Sequence, residues 1–222
     1  MKIIRTPDIT KALYDEIRLR QESNTPEDEI HLGRDILYCN YKSFFRRQGK
    51  VPAKSDNSIL LFALGYALQF FLFPKNKEEV YCIDGIHLRP DIDNQYIAGI
   101  HIPLAEVKST RVSTKRFNIK EYPQYIEQCL GYCKAKQVTS AYLFVFFVCG
   151  SYHPPFPAVD TWRLDFEQKE IDNKWQEFLE RKAVLEEALK TGEYPKKHYM
   201  AFEKECVYCE IKKICPIQNK EK

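Results

Sequence analysis

The chain of 222 residues carries 34 Lys and Arg against 31 Asp and Glu, a net charge of +3, with 44% hydrophobic and 14% aromatic residues. That composition excludes a disordered chain and a uniformly cationic nucleic-acid binder, so any polyanion site must rest on local clusters. The length suits one domain, residues 1–222, with a core from about 32 to 197 and a C-terminal segment from about 198 to 216. The opening Met-Lys-Ile-Ile-Arg-Thr-Pro-Asp lacks the apolar run and cleavage site of an export signal. The longest apolar stretch, Ser58 to Phe73, falls short of the roughly 20 residues that cross a bilayer. A cytoplasmic protein without a membrane partner is expected, its eight cysteines serving as thiols or metal ligands rather than disulfides.

In chain order, Ile9, Leu13 and Ile17 share a helical face over residues 8–20. The run from His31 to Arg47 reads as a short helix carrying Cys39, with aromatics inward and Arg46 and Arg47 outward. With Lys50 and Lys54 these arginines form one basic cluster, and Lys108, Arg111, Lys115, Arg116 and Lys120 form another. Ser55 or Asp56 caps a second helix through the apolar stretch, in which Gly65 implies close packing and which Pro74 ends. Glu79 to Ile83 is a predicted strand. Two further strands follow across Gly85 to Thr110, with Gly85 to Asn94 read as a single run. Glu121 to Ala135 reads as a helix, Ala141 to Cys149 as a strand buried on both faces, and Trp162, Leu164 and Phe166 as an alternating strand. A long amphipathic helix from Glu167 to Lys190 presents Ile171, Trp175, Phe178, Leu185 and Leu189, and stops at Gly192 and Pro195. Together these elements predict one mixed sheet flanked by helices, an α/β layer fold.

The chemistry concentrates in the paired strands. Glu106 and Lys108 stand at i and i+2, so they share a face while Val107 turns to the core. A hairpin returning from Asp91, which follows Pro90, brings a second carboxylate alongside. Paired carboxylates suit a hard cation such as Mg2+ or Mn2+, and an adjacent ammonium can position a water or offset charge on a phosphate. Asp84 and Asp93 compete with Asp91 for the first position. His87 and His101 lie close by in sequence.

The C-terminal run Cys206-Val-Tyr-Cys209-Glu-Ile-Lys-Lys-Ile-Cys215-Pro216 has C-x2-C-x5-C spacing, which lets three thiols converge on one metal centre. A four-thiolate site needs one more ligand. Cys39 is the best candidate, whereas Cys82, Cys129, Cys133 and Cys149 fall within predicted strands or a helix and read as buried apolar residues. Four thiolates suit zinc and iron–sulfur alike.

The Pro90-Asp91 and Glu106-Val107-Lys108 elements match the PD-(D/E)xK signature. With the lone upstream Cys39, the terminal cysteines and Gln128-Cys-Leu-Gly-Tyr132, the chain resembles the iron–sulfur branch of the RecB-type nucleases. In size and motif order it is most similar to the CRISPR-associated exonucleases. The resemblance implies a restriction-endonuclease-like fold, with Asp91, Glu106 and Lys108 catalytic. It also implies Mg2+ or Mn2+ held by Asp91, Glu106 and the carbonyl of Val107, with Gln128 and Tyr132 positioning substrate from one helical face. Cys39, Cys206, Cys209 and Cys215 would hold an iron–sulfur cluster, usually [4Fe-4S], tying the chain termini together. The implied substrate is DNA, single-stranded or with single-stranded ends, trimmed before integration beside a CRISPR integrase complex. One position departs from the family. Where a Gly-x-x-x-His element usually supplies a metal-binding histidine, this chain has Gly65-Tyr-Ala-Leu-Gln69. A phage or recombination nuclease working with a helicase, a catalytically weak nucleic-acid-binding adaptor and a zinc-stapled interaction domain are the other readings.

Overall fold

The computed structural model describes residues 7–21, 29–72, 79–148, 157–200, 202 and 205–219. Among the described residues the strands form two sheets where the sequence predicts one. The smaller has the order β1-β3-β2, from Ile30–His31, Ile86–Leu88 and Tyr81–Ile83. The larger has the order β4-β5-β6-β7, from Ile92–Ile97, Ile100–Thr110, Ser140–Phe147 and Ala158–Asp165. The division falls at Arg89-Pro90. Proline fixes φ and offers no N–H to a ladder, so the run read as one strand from Gly85 to Asn94 is broken there and redirected into the second sheet.

In the larger sheet β4 and β5 are antiparallel and β5 and β6 parallel, while β7 closes the edge antiparallel to β6. The β4–β5 hairpin turns through Ala98 and Gly99, both at positive φ, as a two-residue turn requires. Alternation then sorts β5. Leu104 enters the main core with Ile86, Leu88, Leu130, Tyr132 and Trp175, whereas Ala105 and Val107 pack with Ile92 and Phe144 on the opposite face.

Helices cover both faces. On the Leu104 face lies α4, Pro123–Lys136, with Pro123 in its first turn and Gln137 ending it in the left-handed conformation. Gly131 lets α4 approach closely, because a Cβ there would stand 2.2 Å from Leu32 Cδ2. Packed on α4 is α5, Gln168–Thr191, opened by a Glu167/Glu170 capping box and closed by Gly192 at φ 73°. Its buried stripe is Ile171, Trp175, Phe178 and Leu185, each stabilising by roughly 1.5–3 kcal/mol on burial. On the other face lies α3, Asp56–Leu72, with the Ser58 N–H donating to Ser55 Oγ at 3.3 Å. A Cβ at Gly65 would meet Ser109 Oγ of β5 at 3.2 Å, the close packing its glycine implied. The N-terminal helix α1, Pro7–Gln21, packs on α3. Pro74 and Cys149 lie outside the described residues. Among the described residues no helix is long and apolar enough to cross a membrane.

The segment predicted as one helix over 31–47 is instead a π-turn, Leu32–Ile36, followed by α2, Asn40–Arg47, with Cys39 at the junction. Its arginines do not face outward. Arg47 donates to the buried Asp35 carboxylate at 2.7 Å and Arg46 donates to the Arg34 carbonyl at 2.6 Å. Asp35, 1% exposed, also accepts from Arg34 and from the His31 N–H. A buried carboxylate demands such partners. Arg46 and Arg47, two of the four cations of the first basic cluster, are therefore structural.

Candidate active site

The hairpin register makes the site. Ile92 pairs with Ala105, so Asp91, one residue before it, arrives opposite Glu106. The two carboxyl groups hydrogen-bond to each other. Asp91 Oδ2 also accepts from the Val107 N–H at 2.8 Å. Burial first, and then the Glu106 charge, raise the Asp91 carboxyl well above its ordinary value. Such a pair of acids invites a cation or a shared proton.

Lys108, two residues on, donates to Glu106 Oε1 and to Gln128 Oε1, the latter at 2.9 Å. Burial works to lower its ammonium, but Glu106, Tyr38 and Asp91 override that and hold it charged. From α4, the Tyr132 hydroxyl donates to Glu106 Oε2 at 2.8 Å, with the Arg89 carbonyl at 3.1 Å, and accepts from Gln128 Nε2 at 2.5 Å. Burial, then Glu106 and Asp91, raise this phenol far above its usual range, so it stays a donor. Asp91, Glu106, Lys108, Gln128 and Tyr132 thus form one connected network across β5 and α4.

The competing acids are engaged elsewhere. Asp84 accepts from Trp175 Nε1 at 2.8 Å, and Asp93 pairs with Lys136 at 2.6 Å and with Tyr81. His87 lies 3.3 Å from Glu29 with Cys82 on its other nitrogen, while His101 meets Asn94 across the hairpin at 2.7 Å. Gln69, in the place where a histidine was expected, reaches the site from α3. Its Nε2 donates to the Asp91 carbonyl at 3.1 Å. Sequence reasoning missed Tyr38, a neighbour of both Lys108 and Tyr125, whereas Tyr125 itself stands on turns overlapping Gln128 and Tyr132, as the helix over 121–135 predicted, and its ring lies 5.3 Å from Lys108 Nζ.

At the other end, Cys39 and the terminal cysteines come into one neighbourhood. The Cys39 N–H donates to Glu205 at 2.8 Å, beside Cys206, and the Cys39 thiol lies 3.4 Å from His198 Nε2. Burial, and after it the Glu205 carboxylate, push the Cys39 thiol up to about 12, with Cys206 also close by. Cys206 in turn is raised by burial, then by Cys209, Glu205 and Cys215. All four are free thiols. Soft donors gathered from both ends of the chain suit a thiolate-bound metal centre in donor type. Among the described residues, however, no group of three or more His, Cys, Asp or Glu is arranged to hold a metal ion. Of the other cysteines, Cys129 and Cys133 are fully buried in the main core as expected. Cys82 is exposed, contrary to expectation, because β2 is an edge strand of the smaller sheet.

No protein-family model and no curated protein matches the sequence. Among solved structures the chain is similar to the crystal structure of SSO0001, at 16% identity and a TM-score of 0.58, covering 95% of this chain and 97% of that one. The two share a fold, an α/β arrangement of sheets flanked by helices. More distant is LHK-Exo in complex with dAMP, an alkaline exonuclease from Laribacter hongkongensis, at 14% identity, 73% and 90% coverage and a TM-score of 0.46. A phage related exonuclease from Haemophilus somnus 129PT stands at 11% identity, 79% and 86% coverage and a TM-score of 0.40. These last two backbones are too distant to bear on the site.

Proposed function

We propose that the protein is a divalent-metal-dependent DNA nuclease of restriction-endonuclease-like fold, acting on single-stranded DNA or DNA ends in the cytoplasm. The observation that carries this reading is the Asp91–Glu106 carboxyl pair, hydrogen-bonded together beside a charged Lys108. Two adjacent carboxyl groups and a neighbouring ammonium fit a Mg2+ or Mn2+ ion and a phosphodiester. Asp91, Glu106 and the Val107 carbonyl would hold the ion. When bound, it supplies a Lewis acid to the phosphoryl oxygen and lowers the pKa of the attacking water.

The chain's own residues do the rest. Lys108 places positive charge where the phosphoryl oxygens gain negative charge, and orients the water. Tyr132 fixes Glu106 through its 2.8 Å hydrogen bond, and Gln128 couples Lys108 to Tyr132, so the three side chains are held in one geometry before substrate arrives. The four cysteines Cys39, Cys206, Cys209 and Cys215 would hold an iron–sulfur cluster, [4Fe-4S], as a staple between the two ends of the chain, a reading supported by their thiol chemistry and shared neighbourhood. The order of the motifs along the sequence supports a CRISPR-associated role in trimming DNA before integration, with an integrase complex as partner.

Gln69 favours a second reading. Its amide is committed as a donor to the Asp91 carbonyl, which suits an adaptor that binds DNA without cutting it. The deciding experiment is incubation of anaerobically purified protein with end-labelled single-stranded and duplex DNA in Mn2+, Mg2+ or EDTA. Metal-dependent cutting, lost in Lys108→Met and Asp91→Asn, is expected. Binding without cutting in any metal would replace the nuclease with the adaptor.

A further inference from the structure

The helix α3 has no charged residue from Asn57 to Leu72. Its inner side is engaged by the larger sheet, where Gly65 approaches Ser109 of β5 and Gln69 donates to the Asp91 carbonyl. On the outer side Leu60, Leu64, Ala67 and Phe71 recur at steps of four, three and four. That recurrence is the seam by which one helix packs along another. Tyr66 and Phe70 stand beside it. With α1 packed on α3, this face is still exposed: Phe70 is 73% and Phe71 80% accessible, and Leu60, Leu64 and Tyr66 lie between 38% and 58%. Lys54, 4.2 Å from the centre of the Phe62 ring, marks its polar rim.

At about 150–250 Å² for a whole aromatic side chain, and less for a leucine, the exposed portions amount to roughly 600 Å². That is the upper end of the largest apolar patches, about 300–600 Å², that typical monomers carry. Two copies joined through it would bury roughly 1,200 Å², the size at which specific complexes begin. Chemistry then selects the occupant. A nucleic acid calls for cations, which this face lacks. A helix lying on a membrane turns a basic face to water, whereas the other face of α3 is packed on β5. An unlike protein is told apart by complementary charge, and the seam offers none. Its own copy, brought up across a two-fold axis, meets it with matching apolar ridges and no like charges opposed.

We propose that α3 is a dimerisation helix, its Leu60, Leu64, Ala67 and Phe71 seam packing against the same seam of a second copy of this chain. The inference goes beyond the nuclease reading and stands without it. In the dimer α3 has both faces occupied, one by β5 and the Asp91 carbonyl and one by the partner.

The test is sedimentation velocity of the anaerobically purified protein from nanomolar to high micromolar concentration, alone and with neutral phosphatidylcholine vesicles. The wild type is expected at twice its 26.3 kDa. Leu64→Glu with Phe71→Glu should weaken the dimer by at least about a hundredfold with unchanged far-UV circular dichroism. Val159→Glu, which alters an exposed apolar residue of β7, should keep the wild-type mass. Hydrogen exchange locates the interface without any substitution: α3 amides should exchange more slowly at high protein concentration than at low, and those of β7 at the same rate in both. A monomer at every concentration, a dimer that the double substitution leaves intact, or α3 exchange that ignores concentration overturns the proposal. A monomer that sediments with the vesicles assigns the face to lipid instead, and an assembly of more than two copies overturns the two-fold arrangement.

Discussion

Replacing Asp91 by Asn should stabilise the metal-free protein while abolishing its response to metal. The Asn carbonyl oxygen can still accept from the Val107 N–H that Asp91 receives at 2.8 Å, so local geometry is retained. What disappears is a carboxylate that burial and Glu106 both disfavour. Relief of that kind is worth about 0.5–2 kcal/mol. For a chain of this size, at about 2–4 °C per kcal/mol, the melting temperature in EDTA rises by about 1–8 °C. Mn2+ at a hundredfold excess over its Kd should stabilise the wild type by about 2.7 kcal/mol and leave the variant nearly unmoved, so the order of the two melting curves reverses. The pH dependence has a definite sign. Asp91 titrates higher in the folded than in the unfolded chain, so its cost is absent below the ordinary value of 3.8 and grows as pH rises toward the folded value. The EDTA advantage of the variant should therefore shrink as pH falls toward 3.8. Differential scanning calorimetry across pH, with and without Mn2+, measures each quantity. A variant that melts lower in EDTA at neutral pH, or gains as much from Mn2+ as the wild type, refutes the reasoning.

Tyr132→Phe deprives the buried Glu106 of its 2.8 Å hydrogen bond and should cost about 1.5–3 kcal/mol in urea unfolding, with a larger fall in kcat than rise in KM if it only positions Glu106. Gly131→Ala drives a methyl into Leu32 Cδ2 and should cost about 1–3 kcal/mol, while an unchanged urea midpoint would show that α4 can move away freely. Arg47→Ala leaves Asp35 with a partner missing in the interior and should cost about 3–5 kcal/mol in urea unfolding, an unchanged midpoint counting against a structural role for the pair. Cys39→Ser should bleach the visible absorption of anaerobically purified protein and lower its melting temperature, whereas colourless, zinc-loaded wild-type protein would refute the iron–sulfur assignment.

Period and punctuation made much of this molecule legible in advance. The stripe of α5, the alternation that puts Glu106 and Lys108 on one face of β5, and the stop at Gly192 follow from local geometry, which a sequence carries directly. The tertiary structure decided what depends on distant partners. Pro90 divides one apolar run between two sheets, and only the hairpin register then sets Asp91 rather than Asp84 or Asp93 opposite Glu106. Arg46 and Arg47 read as a surface cluster until Asp35 and the Arg34 carbonyl claimed them, because a buried polar group takes whichever donor the fold brings near. The stacking of Phe117, Tyr122 and Tyr125 was equally hidden, since the three have no common period and meet only where an irregular loop folds back on the start of α4. Residue identity and spacing determine which groups are present on each face; long-range packing determines which of them remain free to meet a ligand.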